Sequence, residues 1–184
     1  MRSARNTSPF SKGEIITGNS VWYRDDPGYI SMSNGLTDVF INVLVLSGSR
    51  LAKTDDEKRL IVFLAEKDQS VVGIGTVGFD ICEIPWNIDN FSENKAFMLN
   101  VIQSAKNKLD WENLDYPPNE ELLFPVLDEF SFLISKINAS DIEEGRLEEW
   151  IAEAESDDPI LCGFPKCEKH GVLLSCFGCQ VCNN

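Results

Sequence analysis

Apolar residues along this chain recur mostly at helical spacing. Leu36, Val39, Phe40, Val43 and Leu44 fall on one face of a 3.6-residue repeat, and Gly48 reads as the stop of that helix. Thr54 followed by Glu57 is a capping box, each side chain satisfying the other's free backbone donor, so a helix is predicted from Asp55 toward Lys67. Its run Leu60-Ile61-Val62-Phe63-Leu64 also suits a buried strand, because a short apolar run has no period that separates the two. A longer helix is predicted from Ser92, as N-cap, to Leu109, with Phe97, Met98, Val101, Ile102 and Ala105 forming its apolar stripe. The next follows Pro117-Pro118 and aligns Leu123, Val126, Leu127, Phe130, Leu133, Ile134 and Ile137. Pro125 interrupts it, and an interior proline costs about 3 kcal/mol, so a kink or a fresh start near Pro125 is expected. The last helix is predicted from Ser140, boxed with Glu143, to about Ala154.

Strand signals are concentrated in residues 20–33, where aromatic and β-branched residues flank Asp25-Asp26-Pro27-Gly28 as they would a hairpin turn. These elements predict an α+β fold: one mostly helical domain with a small N-terminal β element and a C-terminal zinc knuckle. Residues 1–19 read as a flexible N-terminus and 20–158 as a mainly helical acidic body. Residues 159–184 read as a separate tail, because the composition turns to Gly and Cys after Asp157-Asp158-Pro159.

Charge narrows the partners. Thirty acids against sixteen bases give a net charge of −14. That is the wrong sign for holding nucleic acid or an anionic membrane surface. Between Asp141 and Asp158 the acids are Asp141, Glu143, Glu144, Glu148, Glu149, Glu153, Glu155, Asp157 and Asp158, against Arg146 alone. Such a run is a solvated helix face, or a surface that steers toward a cationic protein. No stretch is apolar enough to span a membrane, and the first residues carry two arginines without an apolar signal core, so a cytoplasmic location is expected.

The chemistry concentrates in the tail. Cys167 and His170 are two residues apart, eight residues follow, and Cys179 and Cys182 repeat the spacing. Two such pairs on two short turns converge on one tetrahedral ion, and four good ligands make a closed, structural zinc site. Gly171 and Asn183, directly after each pair, suit the positive φ such turns often need. Cys176 is also two residues from Cys179 and is an alternative ligand. Cys82 and Cys162 read as packing residues.

Enzymatic patterns are weak. Gly73-Ile-Gly75-Thr-Val-Gly78 has dinucleotide-binding spacing, but Pro85 follows too soon for the helix that would meet a pyrophosphate, so a glycine-rich loop or strand pair is expected. Asp80 with Glu83, and Glu120 with Glu121, read as caps or surface. Histidine-based catalysis would need His170, the one histidine, which the zinc site claims. The chain therefore reads as a binding protein with no small-molecule substrate, not an enzyme. A carboxylate hydrolase would need a deep pocket with convergent acids.

Three stretches carry a resemblance. They are Gly75-Thr-Val-Gly78-Phe79-Asp80 leading to Pro85-Trp86, then Trp111-Glu-Asn-Leu-Asp115-Tyr116 with Asn119-Glu-Glu-Leu-Leu, and the closing Cys-x-x-His with Gly178-Cys179-Gln-Val-Cys182-Asn183. From Val71 to the C-terminus the chain resembles small bacterial immunity proteins of contact-dependent inhibition and other polymorphic toxin systems. The resemblance implies an antitoxin that binds a cognate toxin, often a basic nuclease, and blocks its active or substrate-binding surface. It transfers no functional residues. On charge alone, Glu144, Glu148 and Glu149 are the residues expected to face such a partner. The alternative is a zinc-stabilised interaction or adaptor protein unrelated to toxins, with the tail as its docking surface.

Overall fold

The computed structural model describes residues 19–24 and 26–183. Among the described residues, five α-helices and a three-stranded sheet make an α+β fold in which helix predominates. Of the N-terminal stretch expected to be flexible, residues 1–18 lie outside the described residues. Asn19 is described, and its Oδ1 accepts from Thr76 Oγ1 at 2.5 Å.

The hairpin forms as the sequence predicts. β1 (Val21–Trp22) pairs antiparallel with β2 (Tyr29–Ile30), and Asp26 Oδ1 accepts the Gly28 N–H at 2.7 Å to close the turn. Lys136 pairs with the other oxygen of Asp26 and, with the Gly28 amide, holds that carboxyl below the usual range. β3 (Phe79–Asp80) joins the other edge of β1 in parallel, a strand that the hydrophobic pattern did not single out. It follows the glycine-rich segment directly. Gly73 and Gly75 take φ of 79° and 85°, Asp68 bridges to Thr76, and no α-helix opens within residues 73–78. Asp80 and Glu83 form a capping box on the 3-10 turn Ile81–Glu83. Cys82 lies in the core as expected.

α1 (Asn34–Leu51) is the central helix, and from Phe40 to Ser49 every residue is buried. It does not stop at Gly48. A Cβ on Gly48 would lie 2.1 Å from Ile61 Cδ1, so the glycine is where α2 (Asp55–Ala65) crosses closest. The Thr54–Glu57 capping box is present, and residues 60–64 are helical and buried. α3 (Phe91–Lys106) begins one residue ahead of Ser92, which lies in its first turn.

α4 (Glu120–Lys136) is capped by Asn119, whose Oδ1 accepts from the Glu121 and Leu122 amides. It runs unbroken through Pro125 rather than restarting there. Pro125 and Glu121 are both exposed, so the carbonyl that loses its partner faces water and the helix tolerates the loss. The last helix is shorter than predicted. Asn138, not Ser140, boxes with Asp141 on a 3-10 turn, and Gly145, at φ 84°, breaks the chain before α5 (Arg146–Ala152).

Gly48→Ala tests the α1–α2 contact. Overpacking typically costs about 1–3 kcal/mol and outweighs the roughly 1 kcal/mol gain in helix propensity. Urea denaturation should show a net loss of stability. Combined with Ile61→Ala, the two losses should be less than additive, because the second change vacates the space the new methyl needs.

Candidate metal centre

Two turns of similar construction build the site. Pro165 to Leu174 forms a hairpin: the Lys166–Leu173 bridge, Cys167 N–H to the Val172 carbonyl at 2.8 Å, and Leu174 N–H to the Pro165 carbonyl at 3.0 Å. Cys167 and His170 sit at its tip, closed by Gly171 N–H to the Cys167 carbonyl at 2.8 Å, with Gly171 at φ 68°. The second turn follows a tight loop in which Ser175 and Gly178 exchange backbone bonds, and it carries Cys179 and Cys182. Asn183 does not adopt the positive φ expected of it. Its side-chain amide instead donates to the Phe177 carbonyl at 2.8 Å, tying the end of the turn to its own loop.

In each turn the backbone amides two and three residues onward point at the first cysteine's sulfur. Lys169 and His170 serve Cys167, and Val181 and Cys182 serve Cys179, the last at 3.4 Å. N–H donors aimed at sulfur stabilise thiolate, the form that binds metal.

The structure brings all four predicted ligands together. Their donor atoms lie within 4.8 Å of one another. Cys167 Sγ is 3.8 Å from Cys182 Sγ, and His170 Nδ1 is 3.8, 3.6 and 3.3 Å from the sulfurs of Cys167, Cys179 and Cys182. A tetrahedron with metal–sulfur bonds near 2.3 Å and metal–nitrogen bonds near 2.05 Å has edges of about 3.8 Å between sulfurs and about 3.6 Å between sulfur and nitrogen. The one sulfur–sulfur distance and three sulfur–nitrogen distances above fall at or near those edges, and the three cysteines are free of disulfides. Burial pushes Cys167 up, but the surrounding hydrogen bonds carry it below the usual thiol range, while burial pushes Cys179 up to about 12. Three sulfurs this close ionise together only around a cation. This cluster can hold a metal ion with all four corners filled.

Cys176 is not part of that cluster. It sits on the tight loop, exposed, and converges instead with Glu66 and Asp158 within 4.8 Å. Cys162, expected to pack, is exposed; Ile160 and Phe164 do the packing there. The second cluster lines a cavity of about 220 Å³ together with Lys67, Trp150, Glu153 and Phe177. Burial, then Asp158, pushes Glu66 up to about 7. Nothing in the spacing of these three residues points to their meeting.

The tail is fastened to the body through polar groups. Leu173 N–H donates to Ser49 Oγ at 2.9 Å, and Lys166 Nζ to the Ser49 carbonyl at 2.8 Å, placing a cation at the C-terminal end of α1. Gln180, buried between Cys179 and Cys182, donates to Asp68 Oδ2 at 2.6 Å. Asp68 also accepts from the Ser70 amide and shares a hydrogen bond with Asp38. Burial, then the Asp68 charge, raises Asp38 to about 6, whereas Asp68 is held low by its donors. Below about pH 6 the pair therefore holds one proton, on Asp38, and loses it as pH rises further.

The predicted partner-facing acids divide. Glu144 and Glu148, with Asp89, Glu143 and Arg146, line a groove of about 370 Å³ between the 3-10 turn Ile88–Asn90 and the start of α5. Glu149 is outside that lining, exposed, and 3.9 Å from Arg146 Nη1. Among the described residues no helix is long and apolar enough to cross a membrane. No protein-family model, curated protein or solved structure matches this chain.

Cys179→Ser removes one corner of the tetrahedron. Metal affinity in reducing buffer should fall by more than the roughly 10–100-fold that loss of an outer-shell partner costs. Amides of the 165–174 hairpin should lose hydrogen-exchange protection while those of α3 keep theirs. Asp38→Asn tests the shared proton. A carboxyl whose folded pKa is raised contributes stability that is full below its unfolded pKa of 3.8 and is lost as pH rises through about 6. Asparagine keeps a donor to Asp68 without that loss. The variant should gain about 1–2 kcal/mol over the parent at pH 8, allowing for screening at a half-buried site, and none at pH 3.5.

Proposed function

We propose that this chain is an immunity protein, an antitoxin that binds a cognate toxin domain and covers its cationic substrate-binding surface. A basic nuclease is the toxin class that its charge suits. The observation that carries this reading is the acidic groove. Asp89, Glu143, Glu144 and Glu148 line it against the single cation Arg146, and Trp86, Ile88 and Leu147 line it with them, so it offers carboxylates for a lysine or arginine head beside apolar surface for the stem. The net charge of −14 extends that potential beyond the groove and speeds encounter with a cation-rich surface. The short motifs from Val71 onward that resemble those of immunity proteins of polymorphic toxin systems are the sequence ground for the same reading.

The chain acts in the cytoplasm and by binding rather than by catalysis. His170 faces three cysteine sulfurs and so belongs to the tail cluster. The ion suited to three thiolates and one imidazole at these distances is zinc, and with four protein donors its role is structural. Val172 and Leu173 are buried in the core, which weighs against the adaptor reading with the tail as docking surface.

Replacing Glu144, Glu148 and Glu149 with lysine should slow association with the partner at least about tenfold at low salt and flatten its salt dependence. Stopped-flow mixing with the basic protein that co-purifies stoichiometrically from the native host measures both. Unchanged association would sink the proposal, as would the absence of any such partner.

A further inference from the structure

A second group of donors lies where the tail meets the body. Glu66 comes from the end of α2, Asp158 from the segment after α5, and Cys176 from the tight loop between the two cysteine turns. One donor atom from each lies within 4.8 Å of the others, around the cavity of about 220 Å³. Both carboxylates are already aimed. Asp158 Oδ1 accepts the Ile160 N–H at 3.0 Å and Glu66 Oε2 the Trp150 Nε1–H at 3.3 Å, which fixes the direction of each remaining oxygen. Lys67 lines the same cavity with its ammonium over the Phe63 ring, 4.1 Å from the centroid, and its charge favours the ionised form of Glu66.

We infer that Glu66, Asp158 and Cys176 form a second, open site for a borderline divalent cation such as Zn²⁺ or Co²⁺. Two carboxylates and a thiolate select that class, since a sulfur ligand disfavours Mg²⁺ and Ca²⁺. Binding turns the Cys176 thiol into thiolate and releases its proton, with any proton on Glu66, to solvent. Three protein donors leave a fourth position facing the cavity for water. The Trp150 indole is the outer-shell donor that orients Glu66, as such groups do for metal-ligating carboxylates. This site differs from the tail tetrahedron in every ligand and in being open. An ion bound here joins α2, the segment after α5 and the tail.

Full-length protein titrated with Zn²⁺ in reducing buffer and read by native mass spectrometry should hold a first, tight ion and then a second, weaker one. Cys176→Ser and Glu66→Gln should each weaken the second at least about tenfold and leave the first in place, whereas Cys179→Ser removes the first. Co²⁺ added to the zinc-loaded chain should give thiolate-to-metal charge-transfer absorption that Cys176→Ser abolishes. Cys176 is exposed and glutamine keeps an acceptor for Trp150, so both variants should retain the parent's circular dichroism. A chain that stops at one ion in excess Zn²⁺ overturns the inference. So does a second ion whose affinity is unchanged in both variants. Neither outcome bears on the tail tetrahedron, which Cys179→Ser tests separately.

Discussion

Everything in this structure is arranged around a helix with no exposed face over much of its length. From Phe40 to Ser49, α1 is closed in on all sides. Apolar residues make that favourable, but Asn42, Ser47 and Ser49 are buried with them. A buried polar group left without a partner costs about 1–3 kcal/mol, so each of these side chains dictates what must come to it. Asn42 donates to the Tyr116 hydroxyl, Ser47 to the Leu109 carbonyl, and Ser49 accepts from the Leu173 amide. The segment before α4 and the cysteine tail are thereby held in place as much by the polar groups of α1 as by apolar contact.

The tail is in consequence less separate than its composition implies. Its cluster of Cys167, His170, Cys179 and Cys182, which can hold a metal ion, joins two turns too short to bury a core of their own, and Val172, Leu173 and Gln180 fasten them to the body. α5 lies between the two surfaces of interest. Its first turn lines the acidic groove and its last lines the Glu66 cavity, so one seven-residue helix borders both.

What could be read from the sequence was what is local. The Thr54–Glu57 box, the Pro27-Gly28 hairpin and the paired spacing of Cys167, His170, Cys179 and Cys182 are decided by a few neighbouring residues, and all three are present as geometry. Most of the differences come from what only the fold sets, a partner distant along the chain or a position's exposure. Gly48 looked like a helix stop because Ile61 was not in view. Pro125 looked like a break because its exposure was unknown. β3 is two residues long and exists because β1 offers an edge. Glu66, Asp158 and Cys176 had no pattern to find, since three separate segments supply one donor each. The shortened last helix is a different case: Gly145 lies within the predicted span, and its φ of 84° interrupts the helix that a box at Ser140 would start.

The fastening of the tail to α1 also sets an order of assembly. Ser49 and Leu173 are 124 residues apart, Ser49 and Lys166 117, and Asp68 and Gln180 112. Contacts of such long range form late, because the chain must close a large loop before they return anything. Residues 50–165 are therefore synthesised before the segment that covers the far end of the central helix exists. Until then the apolar residues at that end stay open to solvent, and a metal ion held by Cys167, His170, Cys179 and Cys182 would shape the tail that covers them.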